Sequence, residues 1–360
     1  MKISNWQLFW LLLTVEISMT IWLTISPAIR TVRQDAWISL LVAAVIGLTS
    51  TFVALKVSFR HANLTIVEFS QLLLGKWIGR FICLLYFIGW YTVAAVILRD
   101  VSDSIQSVLF HNTPWWVISL VFVVAMSYIN YKGSVEAIAR FSEIVGPLFL
   151  LGIIITLLLN LSNVHPKLLL PVYFDSGAIN ILKGSITNAS FLGESILIMM
   201  LFPFLTKPDR ALKPILLAIL LPSLIGVITA VMIVTTFGTQ LGGELHYPYF
   251  TMVRFIAFLE FIQNMDVWII FVWIFAVFVK MSLYLFVNSY GIAQLFHITK
   301  WKRLIVPVAG SLLLLSFIPS NSVYAMEYAT QVWIKYVFPI NIIALPIFFY
   351  VVGRIRRINV

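Results

Sequence analysis

Apolar residues along this 360-residue chain come in long runs rather than at the spacing of a half-buried helix or strand. Charges, prolines and glycines punctuate them. Ten runs can be read, at about 5–29, 36–59, 81–110, 115–131, 142–161, 187–205, 213–237, 266–294, 302–319 and 332–352. A helix crosses a hydrocarbon core of ~30 Å in about 20 residues, and in lipid each backbone donor and acceptor needs a partner within the protein. The pattern therefore predicts an all-α integral membrane protein with ten transmembrane helices. Two connections are more than turns. The segment 60–80 has the apolar spacing of an amphipathic helix lying on the cytoplasmic surface. The long segments 162–186 and 238–265, on the other side, suit an outer gate, a docking surface or simply the rim of the bundle.

Composition agrees with lipid as the solvent: 61% of residues are hydrophobic, 11% are charged, and mean hydropathy is +1.01. The net charge of +10 is chiefly a topology signal. With the N-terminus inside, sixteen Lys and Arg fall in cytoplasmic segments and six in outer ones, which places both termini in the cytoplasm. No loop is long enough to form a basic nucleic-acid-binding module. The first apolar run is long and lacks a small-residue cleavage site, so it reads as a retained span. The one cysteine, Cys83, lies in an apolar run and reads as a packing residue.

Ionisable groups at membrane depth cost about 3 kcal/mol on insertion scales and face a partner or a cavity. Three stand alone in the spans: Glu16, Glu194 and Lys280. From the helical rise, Glu16 lies ~17 Å from the inner end of span one and Glu194 ~11 Å from the outer end of span six. Lys280, ~21 Å along span eight, has a stem that can reach toward Glu16. A ligand or ion role competes for each with a purely structural contact between helices. Arg99, Asp100 and Asp103 form a separate group late in span three, where Arg99 and Asp103 at i, i+4 can satisfy each other. The stretch "NASFLGES" in span six, with Gly193 before Glu194, predicts a local helix break. Span one clusters Thr14, Glu16, Ser18, Thr20, Thr24 and Ser26 before Pro27. Paired polar segments in corresponding halves point to a transporter-type site between inverted repeats.

"NASFLGESI" resembles the sixth-helix motif of the amino acid/polyamine/organocation transporters, and "YINYKGSVEAIARFSEIVGP" is similar to their pattern after helix four. The order, the length and the stretch "FIQNMDVWIIFVWIFAVFVKMSLYLFVNSY" most resemble the B subunits of spore germinant receptors, over essentially the whole chain. The resemblance implies a five-plus-five inverted repeat of LeuT-like type, with residues 1–161 as the first half and 187–352 as the second. It implies a small-nutrient site among helices one, three, six and eight, in the inner membrane of a dormant spore, beside an A subunit and a lipoprotein C subunit. The residues expected there are Glu16, Ser18 and Met19; Tyr91 and Ala95; Leu192, Gly193 and Glu194; and Lys280 and Tyr284. Two features depart from the pattern. "EISMTIWLTISP" contains no glycine, and Lys280 is a cation where sodium-coupled relatives approach an ion with neutral oxygens.

Three functions compete on this reading. The first is a ligand-sensing subunit for an amino acid or similar germinant, whose ligand shifts a conformational population. The second is a proton-coupled amino acid permease using Glu16 or Glu194. The third, an enzyme, is disfavoured: the five histidines scatter among loops and span ends, and no HExxH, P-loop or Cys/His zinc spacing occurs. No cofactor or metal is expected.

Overall fold

The structure is a computed structural model and describes residues 1–173, 176–256 and 265–356. The parts of the expected outer segments at 174–175 and 257–264, and Arg357 of the basic set, lie outside them. In chain order the helices are α1 (Asn5–Leu23), α2 (Ile25–Val32), α3 (Ala36–Arg60), α4 (Ile66–Leu74), α5 (Lys76–Val108), α6 (Trp115–Leu159) and α7 (Gly177–Leu192). There follow α8 (Ile198–Leu201), α9 (Leu212–Glu244), α10 (Pro248–Arg254), α11 (Met265–Leu295), α12 (Ile305–Ser316), α13 (Ser322–Val332) and α14 (Leu345–Arg356). No strand occurs among the described residues beyond an isolated bridge between Ile3 and Leu205.

Eight helical stretches among the described residues are long and apolar enough to cross a membrane. The chain is a multi-pass membrane protein. That figure takes the ten expected runs differently in two places. The fourth and fifth runs are the two arms of α6, whose 45 residues give ~68 Å of helical rise, enough for two crossings. A bend at Ser134, with φ 57 and ψ −154, folds α6 into two arms. Lys132, Glu136 and Arg140 sit around that bend, where the sequence pattern predicts a loop. The ninth run forms α12, with only 12 residues.

Burial separates inner helices from lipid-facing ones. Residues 11–26 of α1 and α2, 188–202 around α7 and α8, and 279–289 of α11 are buried without interruption. A helix apolar and buried on every face is an interior element. The outer helices expose stripes instead, such as Ile144, Leu148, Leu151 and Leu158 on α6 and Trp77, Phe81, Leu84 and Ile88 on α5. In a membrane those stripes meet acyl chains. α1 packs against α6, α9 and α11, which puts the interior elements side by side.

The segment after α3 is the nine-residue α4, capped by Thr65 and Glu68 and ended by Gly75 at φ 84. Its Ile66, Val67, Phe69 and Leu73 are buried against α5 and α14. The amphipathic pattern thus seats α4 on the bundle.

Candidate functional site

The break in span six occurs where the sequence places it. α7 ends at Leu192, and Gly193–Leu197 form a 3₁₀ turn before α8. The small and polar residues of the motif support it. Asn188 Nδ2 donates to Thr24 Oγ1 at 2.6 Å, Ser195 and Thr51 hydroxyls meet at 2.6 Å, and Trp333 Nε1 donates to the Ser190 carbonyl at 3.4 Å. Gly193 is required by a close approach: a Cβ there would lie 2.3 Å from Ile342 Cγ2. Leu192 is equally tight, since a Cβ on Gly47 would come within 2.7 Å of its Cβ.

The turn delivers Glu194 to α11. Lys280 Nζ lies 2.6 Å from Glu194 Oε2, and the Tyr284 hydroxyl donates to the same oxygen at 2.7 Å. Lys280 and Tyr284, at i, i+4, share one face of α11. Lys280 also donates to the Val15 carbonyl of α1 at 3.3 Å, so one ammonium ties spans one, six and eight. Its Nζ lies 5.8 Å from the Phe191 ring centre. The two side chains of the ion pair are 1% and 0% exposed, which makes this a desolvated pair rather than a surface one.

Span one enters differently from the expected scheme. α1 runs unbroken past Glu16 to Leu23. Thr14, Thr20 and Thr24 hydroxyls donate to carbonyls four residues back, and Ser18 Oγ donates to Val15 O at 3.0 Å. Without a glycine the backbone has no cheap way to open, and the hydroxyls stay on their own helix. Glu16 is buried, and among the described residues neither carboxylate oxygen has a hydrogen-bond partner. It is near enough to Glu194 and Lys280 to interact with both charges. The reach of Lys280 toward Glu16 expected from helical rise gives way to the pair with Glu194, because the turn at Gly193 swings that carboxylate onto the face carrying Lys280 and Tyr284.

The structure brings together Glu16, Ser18, Glu194, Lys280 and Tyr284, with Met19, Leu192 and Gly193 buried on the same interior elements. Tyr91 and Ala95 lie on α5. The Tyr91 hydroxyl bonds Ser311 Oγ of α12, and Ala95 is buried, but no described contact takes either to the cluster.

A second set of residues was not foreseen. Trp273 of α11 donates from Nε1 to the Ser18 carbonyl at 2.8 Å and stacks on Trp22 at 4.1 Å. Trp22 in turn meets Tyr247 at 5.4 Å and Phe250 at 5.8 Å. The Tyr247 hydroxyl donates to Asp100 Oδ1 at 2.7 Å. These contacts tie α1, α5, α10 and α11 together next to the cluster, through Ser18. The outer segment was flagged by its Gly, Pro and aromatics; its long-range contacts had no local signal. His246, ring to ring with Tyr247 at 4.3 Å, has its pKa held below 6.5 by burial and then by nearby Arg30. Arg99 and Asp103 pair at 3.0 Å as expected. Arg99 also donates to the carbonyls of Ser316, Pro319 and Ser320 and stacks over Trp115, closing the end of α12.

The spore germination protein family model matches residues 2–325. The chain belongs to that family. Spore germination protein KB of Bacillus subtilis (strain 168) is 28% identical, over 88% of this chain and 84% of its own. Spore germination protein YndE of the same organism is 24% identical over 91% of this chain and 89% of its own. Solved transporters share the architecture at low identity. MhsT in complex with L-phenylalanine superposes with TM-score 0.68 at 15% identity, covering 96% of this chain and 88% of that one. A Na⁺-coupled sialic acid symporter gives 0.65 at 12%, covering 99% and 88%. The fold is therefore that of the LeuT-like transporters. Among the described residues no group of His, Cys, Asp and Glu is arranged to hold a metal ion.

Proposed function

We propose that this chain is the nutrient-recognising subunit of a spore germinant receptor, taking an amino acid or similar germinant at the mid-membrane cluster of Glu16, Glu194, Lys280 and Tyr284. The observation that carries the reading is the desolvated Lys280–Glu194–Tyr284 constellation of α11 and the 3₁₀ turn, tied to α1 through the Val15 carbonyl, with an unpaired carboxyl beside it. Buried charges of this kind are retained at binding and coupling sites more often than where packing alone is needed. On this reading residues 1–161 and 187–352 form the two inverted halves, and Met19, Leu192 and Gly193 set ligand size. Tyr91 and Ala95 contribute through the seam between α5 and α12. The protein sits in the spore inner membrane with both termini in the cytoplasm and signals to A and C subunits. It performs no catalysis.

Lys280 supports a sensor over a cycling carrier. A tethered ammonium bridging α1 and the broken helix does the work of a mobile cation without dissociating. The permease reading, with proton coupling through Glu16 or Glu194, predicts uptake of labelled amino acid into vesicles holding the isolated chain. The sensor reading predicts binding without uptake. Glu194→Gln is the direct test: nutrient sensitivity of germination changes more than the amount of protein in the membrane. A variant that responds at unchanged nutrient concentration refutes the ligand-site role of Glu194.

A further inference from the structure

We propose that the cleft between α3 and α9 is a binding site for an anionic phospholipid, with an acyl chain along its leucine-lined wall and the phosphate between Lys56 and Lys213. The site stands apart from the mid-membrane cluster and does not depend on its reading. Only the leaflet, the inner one, follows from the orientation proposed above.

α3 and α9 pack on each other. Leu40 of α3 lies against Gly226 of α9, whereas Leu48 and Phe52 share the cleft with Leu212–Leu220, so the two helices run antiparallel. Lys56, late in α3, and Lys213, second in α9, therefore belong to the same end of the bundle. The cleft holds about 580 Å³, walled by Leu48, Phe52, Leu216, Leu217 and Leu220, with Lys213 at its mouth. One turn beyond Phe52, Lys56 lays its ammonium 5.1 Å from the centre of that ring. Thr49 also lines the wall, but its hydroxyl donates to the Val45 carbonyl and is spent on its own helix.

Depth and charge together select the occupant. From Leu212 to Leu220 the helical rise is ~12 Å, which keeps the cleft within one leaflet of a ~30 Å core. An acyl chain fills that depth; a partner's transmembrane helix would run on through both leaflets. Among the described residues neither Lys56 nor Lys213 pairs with a carboxylate. Lys207 and Arg210 add charge on the segment that enters α9, where Asp209 is the one acid. Lysines at span ends reach water along their own stems and mark topology without any recess beside them. Here an apolar recess lies beneath two unpaired ammoniums, the form of the basic pockets between spans that hold anionic headgroups. A zwitterionic headgroup carries its own cation and gains less. The cleft also shares α3 with the broken segment: Gly47 closes on Leu192 and the Thr51 hydroxyl meets that of Ser195, while Leu48 and Phe52 face the lipid.

The test places the full chain, alone and with its partner subunits, in phosphatidylcholine nanodiscs. A small share of phosphatidylglycerol or of phosphatidylcholine carries the same photoactivatable acyl chain, and cross-linked peptides are read by mass spectrometry. The expected result is labelling of residues 48–52 and 212–220 at least about 10-fold stronger with the phosphatidylglycerol probe. That preference falls about 5-fold for each of Lys56→Gln and Lys213→Gln and returns in Lys56→Arg and Lys213→Arg. Equal labelling by the two probes overturns the proposal and leaves the cleft as ordinary lipid-facing surface; so does a preference unchanged in both glutamine variants. Displacement of the probe by inorganic phosphate overturns the lipid assignment in favour of a plain anion site. Labelling of the isolated chain that disappears in the complex makes the cleft a seam between subunits and overturns it as well. The two probes on the unaltered chain decide the matter even where a variant misfolds. Nutrient binding is measured separately, so failure here leaves the mid-membrane reading standing.

Discussion

Replacing Lys280 by Met keeps an unbranched side chain one heavy atom shorter and removes its charge, which largely separates the ion pair from packing. In the parent, Glu194 Oε2 receives Lys280 at 2.6 Å and Tyr284 at 2.7 Å, with both members of the pair essentially unexposed. Breaking a buried pair from one side costs about 3–5 kcal/mol because the other charge is stranded. The Tyr284 bond survives the change, and Ser18 still donates to Val15 O, so the cost falls at the lower end, about 3 kcal/mol or roughly a hundredfold in the unfolding equilibrium. Glu194→Gln, which strands Lys280 with one carbonyl, costs about as much. The double variant is neutral, retains an acceptor for Tyr284, and costs no more than either single, giving a coupling energy of about 3 kcal/mol. Denaturant unfolding in nanodiscs, followed by the summed fluorescence of the chain's 12 tryptophans, reads this as a shift in the midpoint of unfolding. Single effects below about 1 kcal/mol that simply add would refute the claim that the pair holds spans six and eight together.

Three further outcomes follow from particular contacts. Gly193→Ala drives a Cβ to within 2.3 Å of Ile342 Cγ2, which is expected to cost about 1–3 kcal/mol in thermal stability and to be relieved by Ile342→Ala; an unrescued loss would point to the backbone instead. Arg99→Lys keeps the charge but loses the fork onto Ser316, Pro319 and Ser320 and the stack on Trp115, so amide exchange at the end of α12 should quicken by about tenfold or more, and parent-like exchange would count against the capping role. For His246 the folded-state pKa lies below 6.5, so the neutral ring is favoured by the fold; its stabilising contribution is full above pH 6.5 and declines as pH falls below it. Protection factors at residues 244–250, which correct for the intrinsic slowing of exchange in acid, should therefore fall as the pH drops below about 6.5, and His246→Phe should remove that dependence.

The sequence made the spans legible because burial in lipid is a long-range property of whole runs, written in their length and hydropathy. It also placed the break at Gly193, since a glycine beside small polar residues and a lone carboxylate is a local signal. Partner choice was not legible in the same way. Helical rise gives depth along one helix but not rotation, and the 3₁₀ turn at Gly193–Leu197 changes the rotation of Glu194, so Lys280 met that carboxylate and not Glu16. The bend at Ser134 escaped for a related reason: a single non-helical residue at φ 57 separates two helical arms, so a charged stretch that reads as a loop can be helical on both sides of one kink. Tyr247 on Asp100 and Trp22 on Trp273 are long-range pairs with no spacing rule behind them.

The unbroken course of α1 bears on how such a site would respond to a ligand. Where two helices are both open at the centre, each offers free backbone groups, and a ligand can be held by main-chain atoms whatever its side-chain partners. Here span six is tightened into a 3₁₀ turn at Gly193–Leu197, while span one passes from α1 to α2 only at Thr24, so at the depth of Glu16 it presents side chains. Under the proposed reading, a ligand that displaces Lys280 from Glu194 must replace a charge-assisted contact between two essentially unexposed side chains. A ligand that joins Glu16 leaves the pair intact and adds to it. The first route lets the ligand be felt at the joint between α1, the broken helix and α11; the second tightens that joint. Only differential contact between conformers shifts a population, so the coupling energy of Lys280 and Glu194 measured with and without ligand distinguishes the routes. A fall on binding means displacement, and a rise means reinforcement.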